Sequence, residues 1–213
     1  MACFITLEGG EGSGKTTQIR LLREALLTKE FPVTPTREPG GTPVGQMVRA
    51  ILLDGEHPPI DPLAELLLYS ADRAQHVAEV IQPALADGHV VLCDRFTDAT
   101  LAYQGYGRRL ELATIIQLNL TATRGLLPNL TLLLDCPVET GLGRSKARLQ
   151  KENSREDRFE NEEIAFHERV RQGYLELAKA NAGRFRVFDA TLPPQELHVR
   201  ILAEVLKFLG GQK

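Results

Sequence analysis

The segment Gly9-Gly10-Glu11-Gly12-Ser13-Gly14-Lys15-Thr16 fits the pattern G-x-x-x-x-G-K-[ST], whose residue types and spacing are suited to holding phosphate. Glycines let the backbone wrap closely around phosphate oxygens, in conformations that a Cβ disfavours. Backbone amides then donate to those oxygens, and the N-terminus of the next helix adds positive potential. Lys15 is expected to reach the β- and γ-phosphates of a nucleoside triphosphate such as ATP, and the Thr16 hydroxyl to bind the accompanying Mg²⁺. A second candidate closes the apolar run Val90-Val91-Leu92-Cys93, which ends in Asp94 and Arg95. Asp94 would face the metal-bound phosphates, and Arg95 could clamp an oxygen of a transferring phosphoryl group. The plainer alternative has Asp94 capping the next helix and Arg95 on the surface.

Groups of this kind work only if strand ends bring them together. Five short apolar runs read as parallel strands: Phe4–Leu7, Val33–Thr36, His89–Cys93, Leu130–Leu134 and Arg184–Phe188. Their lack of strict alternation suits strands buried on both faces. Helical periodicity lies between them, as in Leu21/Leu22/Ala25/Leu26 and Leu63/Leu66/Leu67. Further helices are expected over Val44–Leu53, Leu110–Thr123, Val138–Lys151, Glu162–Ala180 and Pro194–Leu209. Asp61-Pro62 supplies an N-cap carboxylate followed by Pro at the first helical position. This alternation predicts an α/β fold: a five-stranded parallel sheet between two helical layers, with ligands beyond the carboxyl ends of the strands. With no repeat or low-complexity linker, residues 1–213 read as one domain.

Composition excludes several functional classes. A net charge of −3 argues against a broad nucleic-acid surface, so any cationic site must be local. No apolar run approaches the roughly 20 residues of a membrane span, and the N-terminus lacks the basic region of a signal peptide. Cys3, Cys93 and Cys136 are an odd count without metal-like spacing and read as buried, reduced core residues of a cytoplasmic protein.

Three further segments, taken with the phosphate loop, resemble the thymidylate kinases over nearly the whole chain. They are Thr36-Arg37-Glu38-Pro39-Gly40-Gly41-Thr42, Leu68-Tyr69-Ser70-Ala71-Asp72-Arg73, and Asp94-Arg95-Phe96 followed by Thr100-Leu101-Ala102-Tyr103-Gln104. The resemblance implies a nucleoside-monophosphate-kinase-like fold and the transfer of phosphoryl from Mg·ATP to dTMP. It implies that Arg37 grips the acceptor phosphate, beside a cis Glu38–Pro39 peptide. Tyr69 would stack on thymine, where the family often has Phe, and Arg73 would donate to a base carbonyl. Tyr103 would pack against the sugar, Thr100 and Gln104 would lie near the base, and Glu11 would accept from the sugar 3′-hydroxyl.

Arg144, Arg148, Lys151, Arg155 and Arg158 recur at spacings that would form one basic stripe on a continuous helix. Such a stripe is usually a solvated face. Some thymidylate kinases carry an arginine in the phosphate loop where this chain has Gly12; the bacterial type supplies it instead from a lid. That resemblance implies a mobile lid at about 141–160, with Arg148 at the transferring group, Arg158 as second candidate and Arg144 against adenine. It also implies a homodimer through helices flanking the acceptor site; the apolar faces around Leu52–Leu53 and Leu63–Leu68 are compatible with that interface or with plain core. The nucleophile is already a charged phosphate oxygen, so Asp94 is read as an organiser of metal, water or Arg95. The competing class is a nucleotide-dependent switch, but the chain has no Asn-Lys-x-Asp element and no Asp-x-x-Gly after a strand.

Overall fold

A computed structural model describes residues 2–56, 58–152 and 155–211. All five expected strands form: β1 (Cys3–Glu8), β2 (Val33–Arg37), β3 (Val90–Asp94), β4 (Leu130–Asp135) and β5 (Phe185–Asp189). They make one parallel sheet in the order β2-β3-β1-β4-β5. The register places Leu7 and Arg37 on either side of Asp94, so three strands end at the same edge.

Alternate residues of the inner strands feed two cores. Cys3, Ile5, Leu7, Val90, Leu92, Leu130 and Leu132 pack with Ile19, Leu22 and Leu26 of α1 (Lys15–Thr28) and with Ile201 and Val205 of α9 (Pro194–Gly210). On the opposite face, Phe4, Val91 and Cys93 meet Val77, Ile81 and Phe96, while Leu133 and Phe185 meet Val170 and Tyr174 of α8 (Ile164–Ala180). Each fully buried aliphatic side chain contributes on the order of 1.5–3 kcal/mol. The expected double-faced burial holds for β1, β3 and β4 and is the physical basis of the three layers, whereas the edge strands β2 and β5 are only partly covered. All three cysteines are buried and unbridged, as expected. Among the described residues, no helix is long and apolar enough to cross a membrane.

The remaining helices are α2 (Pro43–Leu53), α3 (Pro62–His76), α4 (Gln82–Ala86), α5 (Thr97–Thr100), α6 (Leu112–Thr123) and α7 (Val138–Glu152). Asp61 caps α3 as its sequence indicates, its Oδ1 accepting from the amides of Leu63 at 2.9 Å and Ala64 at 3.3 Å. Thr42 does the same for α2 through the Gly45 amide. Two π-helical turns, Val77–Ile81 and Leu101–Gly107, extend α3 and α5. The helical run from Thr97 to Gly107 had no clear periodic signal, because buried Thr97, Asp98, Thr100 and Gln104 interrupt its apolar pattern.

The basic stripe does not continue on one helix. Arg155 and Arg158 lie outside α7, in residues that form no helix. The expected lid also takes in residues 153 and 154, which lie outside the described residues.

Candidate active site

The phosphate loop joins β1 to α1 by conformations that glycine tolerates. Gly12 (φ 63°) and Gly14 (φ 92°) are left-handed. At Gly12 there is also no room for a side chain: a Cβ would run into the Gly141 carbonyl in the first turn of α7. The loop and the root of the expected lid therefore touch backbone to backbone.

Within the loop, Lys15 Nζ donates to the carbonyls of Gly9 (3.1 Å) and Gly10 (3.0 Å) and to Ser13 Oγ (3.3 Å). Burial pushes its pKa down to about 8, helped by the Arg95 charge and opposed by Asp94, Glu11 and Glu8. The Thr16 hydroxyl donates to Asp94 Oδ2 at 3.1 Å. The two oxygens expected to share a metal ion thus stand together, and the helix-capping alternative for Asp94 is not what forms: α5 has no side-chain cap.

Arg95 is not a surface residue either. Held at φ 69°, it sends one guanidinium nitrogen to the Gly9 carbonyl (2.8 Å) and the other to Glu11 Oε1 (2.8 Å). Its guanidinium also lies 4.8 Å from the centre of the Tyr103 ring, whose hydroxyl donates to the same Glu11 oxygen at 2.7 Å. Burial alone would raise the Glu11 pKa, but Arg95, Lys15 and the Tyr103 hydroxyl together hold it down at about 2. Glu11 is therefore a fixed anion at the centre of the site.

Glu8, one step before the loop, is fully buried. Its two oxygens accept from the Phe96 amide (2.8 Å) and the Tyr174 hydroxyl (2.9 Å), and Tyr174 in turn accepts from Arg95 at 3.3 Å. Burial, with the nearby Asp98 carboxylate, pushes its pKa up to about 7 against Arg95 and both hydrogen bonds.

The other end of the site hangs from α3. The Glu38–Pro39 peptide is cis, as the resemblance implied. Glu38 accepts from Arg73 Nε at 2.8 Å and pairs with His76 Nδ1 at 2.9 Å. Arg73 is buried, bonding also to Asn119 Oδ1 (2.7 Å) and the Phe96 carbonyl (3.1 Å), and its aromatic neighbour is Phe96 rather than Tyr69. Asp72, beside it, accepts from the Gly40 amide, and burial raises its pKa to about 6.

A cleft of about 1150 Å³ collects these groups, which exceeds the range of about 300–1,000 Å³ usual for a single small ligand. Lys15, Thr16, Arg37, Tyr69, Arg73, Asp94, Arg95, Thr100, Tyr103 and Gln104 all line it, as do Arg144 and Arg148 of α7. So do Glu11, Gly12, Ser13 and Gly14, whereas Gly9 and Gly10 line a separate, smaller cavity. Arg144 donates to the Ala190 carbonyl at 2.8 Å, beside the apolar Leu192, Pro194 and Leu197.

Arg158 is the exception among the expected lid cations. It is not among the residues lining the cleft. It lies 2.6 Å from the buried Glu65, donates to the Leu52 carbonyl and stacks over Phe159. Sequence reasoning also missed Glu8, Glu38, Glu65, Asn119 and Tyr174. An acid at the end of an apolar strand was a signal for Glu8; the others are joined to the site only by long-range packing.

Comparison with known proteins agrees with this geometry. The family model described as thymidylate kinase matches residues 7–201. The thymidylate kinase of Geotalea daltonii is 56% identical over 213 residues, covering 99% of this chain and 100% of its own. That of Geotalea uraniireducens is 56% identical over 211 residues, covering 99% of each. The crystal structure of thymidylate kinase from Ehrlichia chaffeensis superposes with a TM-score of 0.75 at 33% identity, over 95% of this chain and 98% of that one. A phosphate loop hydrogen-bonded to an acidic strand end, in a cleft that also takes in Arg37, Tyr69 and Arg73, thus comes with full-length similarity: the chain belongs to the thymidylate kinase family.

Proposed function

We propose that the protein transfers the γ-phosphoryl group of ATP to the phosphate of dTMP, giving dTDP and ADP in the supply of dTTP. The observation that supports this reading is a single cleft lined by Lys15 and Thr16 of the phosphate loop, by Arg144 of α7 and by Arg37, Tyr69 and Arg73. Two phosphate-bearing substrates meet there head to head. Both are anions, so the barrier includes bringing like charges together. Lys15, Arg37, Arg95 and Arg148 answer that problem, because phosphoryl transfer needs mainly positioning and charge neutralisation. The attacking group is an ionised phosphate oxygen, and no general base is required.

Mg²⁺ fits the donor set: Thr16 Oγ1 and Asp94 Oδ2 are hard oxygens 3.1 Å apart. Among the described residues, no cluster of three or more His, Cys, Asp or Glu side chains could hold a metal by itself. That suits an ion that keeps several waters and arrives with the triphosphate, where it neutralises charge on the β- and γ-oxygens. Glu11, held ionised by Arg95 and Tyr103, is the acceptor for the sugar 3′-hydroxyl, and the Tyr103 ring excludes a 2′-hydroxyl. Tyr69 offers its ring face and Arg73 its remaining N–H groups to the base, with Thr100 and Gln104 alongside. Arg148, whose hydrogen bond among the described residues is a long one to Ser145 at 3.4 Å, is the lid cation that reaches the transferring group.

The homodimer is proposed on a different observation. Val44, Met47 and Ile51 of α2, Leu63 and Leu67 of α3, and Ile116 and Leu120 of α6 are exposed on helices that pack side by side. Of the faces named from sequence, Leu52 and Leu66 are core instead. A cytoplasmic location suits three unbridged cysteines.

The test is to incubate γ-labelled ATP and dTMP with magnesium and follow the label. The reading expects it in dTDP. Label released only as inorganic phosphate, at a rate indifferent to dTMP, would favour the switch class and overturn it.

A further inference from the structure

Glu65 lies on α3 with its side chain fully buried, at the meeting point of three elements. Its Oε1 accepts from Gln104 Nε2 at 2.8 Å and from Arg108 Nε at 3.3 Å. Its Oε2 accepts from Arg108 at 3.2 Å and from Arg158, just beyond α7, at 2.6 Å. An ionised carboxylate can only accept hydrogen bonds, so Gln104 must turn its NH₂ toward Glu65. The two arginines occupy the remaining lone pairs and keep the carboxylate from swinging away.

The consequence falls on the cleft. Gln104 is buried yet lines the same cavity as Tyr69 and Arg73, and among the described residues its Oε1 accepts from no protein group. With the nitrogen committed to Glu65, the oxygen is the amide's free end. Arg73 has three of its five N–H groups bonded to protein and can never accept. The cleft therefore offers donors from Arg73 and an acceptor from Gln104. A thymine ring edge carries an accepting carbonyl beside a donating N–H and complements that pair. A cytosine edge carries a donating amino group beside an accepting nitrogen, the inverse. The guanidinium cannot change sides of this code, but an unrestrained amide can, by a half-turn.

We propose that Glu65 is a specificity-determining positioning residue: it locks the Gln104 amide so that the acceptor end of the cleft selects thymine- or uracil-like bases over cytosine. The assignment rests on dTMP being the acceptor. Arg158 and Arg108 serve the same end through Glu65, which joins the segment after α7 to the base site.

The test measures kcat/KM for dTMP and dCMP in the unmodified protein, in Glu65→Gln, in Gln104→Met and in the double variant. A glutamine at position 65 can meet Gln104 with either end of its amide and so frees the half-turn. The ratio of dTMP to dCMP efficiency should fall about tenfold or more in Glu65→Gln. It should fall comparably in Gln104→Met, and the double variant should be no less selective than Gln104→Met alone. Equal losses on both substrates, with the ratio preserved in Glu65→Gln, would reduce Glu65 to a structural role and overturn the proposal. Should Glu65→Gln fail to fold, Gln104→Met carries the test, and an unchanged ratio there overturns it equally. An unmodified protein inactive on dTMP would instead overturn the substrate assignment beneath it.

Discussion

Replacing Glu8 by Gln removes a buried ionisable group while keeping its shape, and the pH dependence of stability should change in a calculable way. Burial and the Asp98 carboxylate raise the Glu8 pKa from 4.5 to about 7. Between those values the folded chain holds a proton that the unfolded chain has released. Its contribution is therefore fully present below pH 4.5 and lost as pH rises through about 7. At about 1.4 kcal/mol per pKa unit, the loss is about 3 kcal/mol. In Glu8→Gln the amide oxygen still accepts from the Phe96 amide, while the NH₂ replaces the acceptor used by Tyr174. That exchange shifts the whole curve by about 1 kcal/mol without adding a slope. Urea denaturation from pH 4.5 to 7.5 reads both curves. The unmodified protein should lose about 3 kcal/mol relative to Glu8→Gln across that range. Parallel curves would refute the reasoning, because they would mean that Glu8 ionises as easily in the fold as in water.

Other expectations follow from single contacts. Gly12→Ala combines a left-handed backbone with a Cβ that meets the Gly141 carbonyl. It should cost about 2–4 kcal/mol or displace the loop, read as a fall in denaturation midpoint and a raised KM for ATP; the absence of both changes would refute the close packing. Arg148→Ala should lower kcat by about 100-fold or more with little change in dTMP affinity, and equal losses in both would sink its role at the transferring group. Met47→Asp, on the most exposed apolar side chain of α2, should convert a dimer to a monomer in sedimentation. A parent protein that already sediments as a monomer would remove the proposed interface.

Much of this architecture is legible in the sequence because it rests on local signals. Strands buried on both faces read as continuous apolar runs, and Asp61-Pro62 marks a helix start that the structure reproduces with two amide hydrogen bonds. The phosphate loop is contiguous, so its residues could be named directly. What escaped was set by packing between distant elements. Arg158 sits at helical spacing from Arg148, yet it lies in a turn outside α7, and the buried Glu65 holds it instead. Tyr174 lies on a regular amphipathic helix, and nothing local distinguishes a hydroxyl that bonds Glu8 from a core aromatic. Arg73 lines the cleft, but its dependence on Glu38 and Asn119 spans 35 and 46 residues.

The central claim is that one cleft joins ATP to dTMP in particular. The most direct measurement is ADP formation with Mg·ATP against dTMP, dUMP, UMP, dCMP, AMP, GMP and thymidine at equal concentrations. The account predicts a strong response to dTMP, a weaker one to dUMP, and little from the ribonucleotides, dCMP or thymidine. A dominant response to another monophosphate would contradict the base-reading roles of Tyr69, Arg73 and Tyr103, and slow hydrolysis indifferent to every acceptor would contradict the kinase itself.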